Sequence, residues 1–356
     1  MDNSAYPNKN MHEPDVTGTG MQRPSIMQAS LLYSISVILL LFVASRAQRR
    51  EFYSGLLVTE FVLVLIPPLI LLFYKKYDVK RILRLNGVSV LNLFIIFWIM
   101  VFSIPVVNIL NSIYFLLIKY TFGKIIFPTV PPAADIKTLL LNILVVGGSA
   151  GICEEILFRG TLLKSFERFG AARGILLTSF LFGIWHIYFQ SFLGTFLLGA
   201  LIGFMVYRTN SLYSGMFAHF TNNTIAVTVS YLSNKFLKNI RMPGIGNSES
   251  NLDADRYFNS ILSMPAIQLI AVIIIWTFLI LICATILSGL MAAFIKTTSD
   301  KVQRVQAEPV PSNWKNLLWL LPGIAFIGLV YYADALALMG VKNETVSVLL
   351  RIIGLE

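Results

Sequence analysis

The sequence predicts an all-α fold, a polytopic transmembrane bundle of about eight or nine helices. Composition is the first reason. Of 356 residues, 56% are hydrophobic and only 13% charged, with a mean hydropathy of +0.74; soluble domains run at about 45–50% apolar and about 25% charged. This excludes a water-soluble enzyme, a disordered chain and a disulfide scaffold. Run length is the second reason. Two uncharged stretches, 85–118 and 174–207, reach 34 residues each, whereas a membrane-spanning helix needs about 20 and a barrel strand about 9–11. Only helices or closed barrels satisfy their backbone in lipid, so the runs are helical.

Residues 1–28 are polar, with Pro7, Pro14 and Pro24 and no basic segment leading into a cleavable apolar stretch. They read as a mobile tail, not a signal peptide. Residues 29–340 form the transmembrane domain, with spans at about 29–45, 55–73, 88–118, 137–163, 174–191, 193–207, 211–233, 265–295 and 315–339, and 341–356 is a short tail. Pro105 bends the long third run, which is one kinked helix or a helix plus an interfacial piece. Gln190, Ser191 and Gly194 divide the 174–207 run into a hairpin. Residues 234–264 make the longest polar loop.

The face holding the amino terminus collects 15 Lys and Arg against 12 on the other, which places the amino terminus in the cytoplasm. The expected location is the cell membrane, with the site opening to the cytoplasmic side. The net charge of +10 contains no long basic run; it reads as loops facing anionic lipid, with no nucleic-acid partner. Cys153 and Cys283 are too few for a zinc cluster or a disulfide framework.

Ionisable groups inside spans cost on the order of 2.5–3.5 kcal/mol each and mark functional sites by default. The fourth span carries Glu154, Glu155 and Arg159. Glu155 and Arg159 are four apart and can pair on one helix face, while Glu154 points about 100° away and lacks that partner. Of three histidines, His12 lies in the tail, and His186 and His219 lie in apolar spans. Phe182 shares a face with His186, and Asn223 with His219. Counted from Lys164, Arg173 and Arg208 at about 1.5 Å per residue, Glu154, His186 and His219 lie roughly 15, 20 and 17 Å deep, at nearly one level. Glu60 and Asp334 lie near span ends and read as interfacial. Phe182 and Trp185 read as core packing, and Gly147, Gly148, Gly151, Gly199 and Gly203 as sites of close helix approach.

A carboxylate beside an imidazole can take a proton from water, and a second histidine with an asparagine amide can donate to a tetrahedral oxyanion. Together these are the two halves of peptide hydrolysis. The same residues admit zinc, with Glu154, His186 and His219 as ligands, although no HExxH stretch occurs. Nucleophilic catalysis by Cys153 is the weakest option.

Glu-Glu-x-x-x-Arg, Phe-x-x-x-His and His-x-x-x-Asn, in that order on successive apolar helices, resemble the CPBP family of intramembrane proteases, which includes type II CAAX prenyl endopeptidases and bacterial Abi proteins. All three motifs are present over about 138–231. The resemblance implies that Glu154 and His186 activate a water, that His219 and Asn223 form an oxyanion hole, and that Glu155, Arg159 and Phe182 support them. It implies no cofactor under the glutamate mechanism and zinc under the metalloprotease one. The implied partners are the lipid bilayer and a peptide or protein substrate, prenylated in the eukaryotic branch. A bacteriocin-immunity protein or non-enzymatic scaffold is the remaining alternative.

Overall fold

A computed structural model describes residues 22–125, 133–237, 259–261, 263–302 and 314–341, with 344 and 348. Most of the 1–28 tail, the 234–264 loop and the 341–356 tail lie outside the described residues. Among the described residues, nine principal helices follow in chain order: α1 (Ile26–Arg50), α2 (Phe52–Tyr74), α3 (Val90–Phe122), α4 (Ile136–Phe169), α5 (Ala171–Trp185), α6 (Phe192–Thr209), α7 (Leu212–Leu237), α8 (Ala266–Thr297) and α9 (Leu321–Leu338), the last preceded by a 3-10 stretch at Trp314–Leu320. No strand occurs among the described residues. The protein is an integral, multi-pass membrane protein: among the described residues seven helical segments are long and apolar enough to cross a bilayer. Helix α5 is shorter than these. Helix α7 is long enough but carries His219, Thr221, Asn222, Asn223 and Thr224.

Local chemistry sets the helix ends. Ser25 and Gln28 form a reciprocal capping box at the start of α1, which satisfies backbone donors the first turn leaves open. Glu51 alone separates α1 from α2, and its carboxylate accepts from the amides of Tyr53 (3.1 Å) and Ser54 (2.6 Å). The Ser54 side chain, together with those amides, holds the Glu51 carboxyl below its ordinary range. Ser89 caps α3. Asp135 caps α4 through Thr138, whose amide and hydroxyl bonds lower its carboxyl in the same way. Gly123 (φ 82°) ends α3 and Gly170 (φ 95°) divides α4 from α5, both in backbone regions glycine enters without strain.

The run around Pro105 is one unbroken helix of 33 residues. The hairpin break falls earlier than expected: α5 stops at Trp185, and His186 is its C-cap residue, outside the helix rather than inside a span reaching 191. Gly194 lies within α6.

Apolar burial gives little drive between helices in lipid, so packing and interhelical hydrogen bonds specify the bundle, at about 0.6 kcal/mol per bond on average. The Ser34 hydroxyl donates to the Trp319 carbonyl (2.7 Å) and accepts from the Gly323 amide (3.2 Å), joining α1 to α9. Thr297 donates to Asn92 (2.7 Å), joining α8 to α3, and Arg208 ties α6 to Thr298 and to the Ile295 carbonyl. One core gathers Tyr33 of α1, Phe158 of α4, Phe182 and Trp185 of α5, and Val330 of α9. A second gathers α3, α6, α7 and α8 around Ile99, Met205, Ala218 and Phe294. Between these cores, α4 and α7 pack against each other and carry the polar residues of interest.

Candidate active site

Helix α4 is not uniformly α-helical. π-helical stretches at Ile143–Ser149 and Ile156–Leu162 flank the α-helical segment Ala150–Glu155. Such turns recur at functional sites because they rotate side chains out of the ordinary register. Glu154 and Glu155 end that segment, both buried, and point in different directions.

Glu155 Oε1 accepts from Arg159 Nη1 at 2.7 Å and from His219 Nδ1 at 2.9 Å. The guanidinium is held in turn by the Gly199 carbonyl (Nη2, 3.2 Å) and lies 4.3 Å from the Phe182 ring centroid. Small residues make room for this knot. A Cβ on Gly215 of α7 would stand 2.8 Å from Glu155 Oε2 and 2.6 Å from Val206 Cγ2. A Cβ on Gly199 would stand 3.1 Å from Phe182 Cδ1. Gly151 approaches the α7 backbone, where a Cβ would meet the Phe220 nitrogen at 3.2 Å and the Met216 oxygen at 3.3 Å. Gly148 is different: only the Ile143 oxygen of its own helix comes within 4 Å, so it is not a close-approach position.

Glu154 lacks these partners, as its angular offset predicts. Its Oε2 is buried with no hydrogen-bond partner among the described residues, and His219 Nε2 lies 3.9 Å away, beyond hydrogen-bond range. His219 therefore sits between the two glutamates, bonded to one through Nδ1 and facing the other through Nε2.

His186 is half-buried at the end of α5. Its Nδ1 lies 2.9 Å from the Phe182 carbonyl oxygen. A carbonyl only accepts, so Nδ1 carries a proton, and in the neutral ring Nε2 keeps the lone pair. Phe182 links the two imidazoles, standing edge-on to His186 at 4.9 Å and to His219 at 5.7 Å. Asn223, one turn beyond His219, donates through Nδ2 to the Val146 carbonyl at 3.3 Å and accepts from Asn222 at 3.1 Å. The structure thus joins Glu154, Glu155, Arg159, His219 and Phe182 directly, adds His186 through Phe182, and leaves Asn223 bonded to α4 backbone. Among the described residues no three His, Cys, Asp or Glu side chains converge as metal ligands. Glu154, His186 and His219 do not fit a three-ligand zinc set in this arrangement.

Residues 136–225 match the family model Rce1-like, type II CAAX prenyl endopeptidase Rce1-like. That stretch is about a quarter of the chain and holds every motif residue from Glu154 to Asn223. No curated protein and no solved structure matches the chain. The family identified from the three motifs is the one the model matches, and the match supports a CAAX-type intramembrane protease in general terms.

Two features around these residues were not expected from the sequence. Glu60 is not interfacial: it is 4% exposed, with Oε2 lacking a hydrogen-bond partner, in a π-helical turn of α2 that packs on Ala150–Glu155. Its distance along the chain from Glu51 suggests a shallow position, and only packing shows the burial. Ile187, immediately after His186, has φ of 66°, which is rare for a β-branched residue. The Tyr188 amide donates to the His186 carbonyl at 2.7 Å across it, closing a strained three-residue turn.

Proposed function

We propose that the protein is an intramembrane endopeptidase that hydrolyses a peptide bond with a water activated by Glu154 and His186. The observation that carries this reading is the Glu154 carboxylate, buried in the Rce1-like segment, with one oxygen unbonded and an imidazole edge beside it. Water oxygen attacks the scissile carbonyl carbon as Glu154 takes its proton. His186, with a lone pair on Nε2, accepts a hydrogen bond from the same water. Collapse of the tetrahedral intermediate breaks the C–N bond, and the proton on Glu154 passes to the departing nitrogen, leaving a carboxylate and an amine.

His219 and Asn223 supply the oxyanion donors. With Nδ1 donated to Glu155, His219 offers an N–H from Nε2 only as the imidazolium. Asn223 has a second amide hydrogen beyond the one given to Val146. Glu155, Arg159 and Phe182 orient these groups.

The substrate class is a peptide or protein within or beside the bilayer, cut at the cell membrane from the cytoplasmic side, where the excess of Lys and Arg accompanies the amino terminus. Comparative membrane proteomics of cells making the wild-type chain or Glu154→Ala tests the reading: a protein that accumulates uncut, in Glu154→Ala and His186→Ala cells alike, supports it. Full processing by either variant, with the protein inserted and folded, contradicts it. Stoichiometric zinc with chelator-sensitive activity supports the metalloprotease reading instead, and a cellular phenotype that survives both substitutions supports a scaffold or immunity role.

A further inference from the structure

Glu60 is a buried carboxyl that the reaction above does not use. A polar side chain in a membrane helix is ordinarily accounted for as hydrogen-bond glue between helices. Glu60 does not fit that account, because its Oε2 is buried and has no hydrogen-bond partner among the described residues. Its surroundings are specific. The π-helical turn Thr59–Val64 packs on Ala150–Glu155, and Glu60 interacts electrostatically with Glu154 and with Cys153 of that segment. Glu155 is engaged elsewhere through Oε1, with Arg159 and His219, and its Oε2, which also lacks a hydrogen-bond partner among the described residues, lies toward Gly215 of α7. Glu154 thus has His219 as one neighbour and Glu60 as another, and both glutamates have an unbonded Oε2.

Glu60 and Glu154 stand on helix segments that pack together, and each presents a buried oxygen without a hydrogen-bond partner among the described residues. A single water can bond to both, which accounts for two buried oxygens that otherwise have no partner. We propose that Glu60 is a further residue of the active site, holding the attacking water against Glu154 from the opposite helix. This inference rests on the reading of Glu154 as the water-activating group.

The test uses the full-length chain in liposomes, with total membrane protein from cells lacking it as substrate. Mass spectrometry measures the rate at which new peptide termini appear, and thermal unfolding of each variant is followed in parallel. Glu60→Leu should unfold at or above the wild-type temperature while its rate falls about 100-fold, in the range of a lost acid–base group. Glu60→Gln keeps a polar oxygen at the same reach and should recover at least about tenfold over Glu60→Leu, a recovery that a packing role would not produce. Glu60→Asp, which withdraws the carboxyl by one methylene, serves where the leucine variant does not fold, and should lose at least about tenfold. A wild-type rate in folded Glu60→Leu or Glu60→Asp overturns the proposal, as does a lowered unfolding temperature with an unchanged rate. Glu154→Gln in the same assay separates the two levels: if it cleaves at the wild-type rate, the reading of Glu154 falls; if it is inactive while Glu60→Leu is fully active, only the role of Glu60 falls.

Discussion

Replacing Arg159 with leucine removes the guanidinium bonded to Glu155 and leaves its carboxyl group in the bundle interior. The ion pair is 2.7 Å long, between side chains 1% and 0% exposed, so water cannot take over the lost partner. Breaking a buried pair on one side costs about 3–5 kcal/mol. The bond to Gly199 adds about 1 kcal/mol, and the contact with the Phe182 face about as much again. These terms overlap, because one side chain makes all three contacts, and about 4–6 kcal/mol is the expected total. Unfolding in mixed micelles, driven by a denaturing detergent and followed by the fluorescence of Trp185 and the other tryptophans, measures it. The double variant Glu155→Leu/Arg159→Leu removes both charges and should lie within about 2 kcal/mol of wild type, since apolar replacement of a whole buried pair is often neutral. A loss below about 1 kcal/mol in Arg159→Leu, or a double variant less stable than the single, would refute the reasoning.

Gly215→Ala should cost about 1–3 kcal/mol from overpacking and depress cleavage, because the new methyl competes with Glu155 Oε2 for space; a wild-type rate in that variant would contradict the placement of Glu155. Ile187→Gly relieves strain worth about 1–3 kcal/mol but loses apolar contact with the core, so its unfolding free energy should stay within about 1 kcal/mol of wild type. Its cleavage rate should still fall about tenfold as His186 loses its fixed orientation. Purified protein should carry substoichiometric zinc by elemental analysis and cleave equally with and without chelator. Acidification should loosen the start of α4 before the rest of that helix. The Asp135 carboxyl lies below its ordinary range when folded, so its contribution is present at neutral pH and is lost as pH falls through the folded value. Hydrogen exchange at the amides of residues 136–139 reads this, and Asp135→Asn should abolish its pH dependence.

The helices were legible in the sequence because lipid leaves few choices. Charged residues such as Arg84, Lys119, Arg173 and Arg208 bracket runs that have nowhere else to go. Glu155 and Arg159 were legible as a pair from their spacing, and Glu154 as the unpaired neighbour from its angle. The C-cap position of His186 was not, since no glycine or proline marks the end of α5 and the strained turn at Ile187 is a property of backbone packing. The π-helical stretches around Ala150–Glu155 leave no pattern in residue type. Glu60 was misjudged for a related reason: depth along a helix follows from counting, whereas burial depends on which neighbour covers the face, here a segment about ninety positions later in the chain. Asp334 does lie near the end of α9, one turn before Leu338, and is half-buried there.

The most direct measurement reconstitutes purified wild-type chain and Glu154→Gln in liposomes with the protein found to accumulate in Glu154→Ala cells, and follows its cleavage by mass spectrometry. The wild-type chain should produce one new pair of termini, and folded Glu154→Gln none. Cleavage by Glu154→Gln at the wild-type rate and at the same bond would contradict the assignment of this carboxylate as the group that activates water.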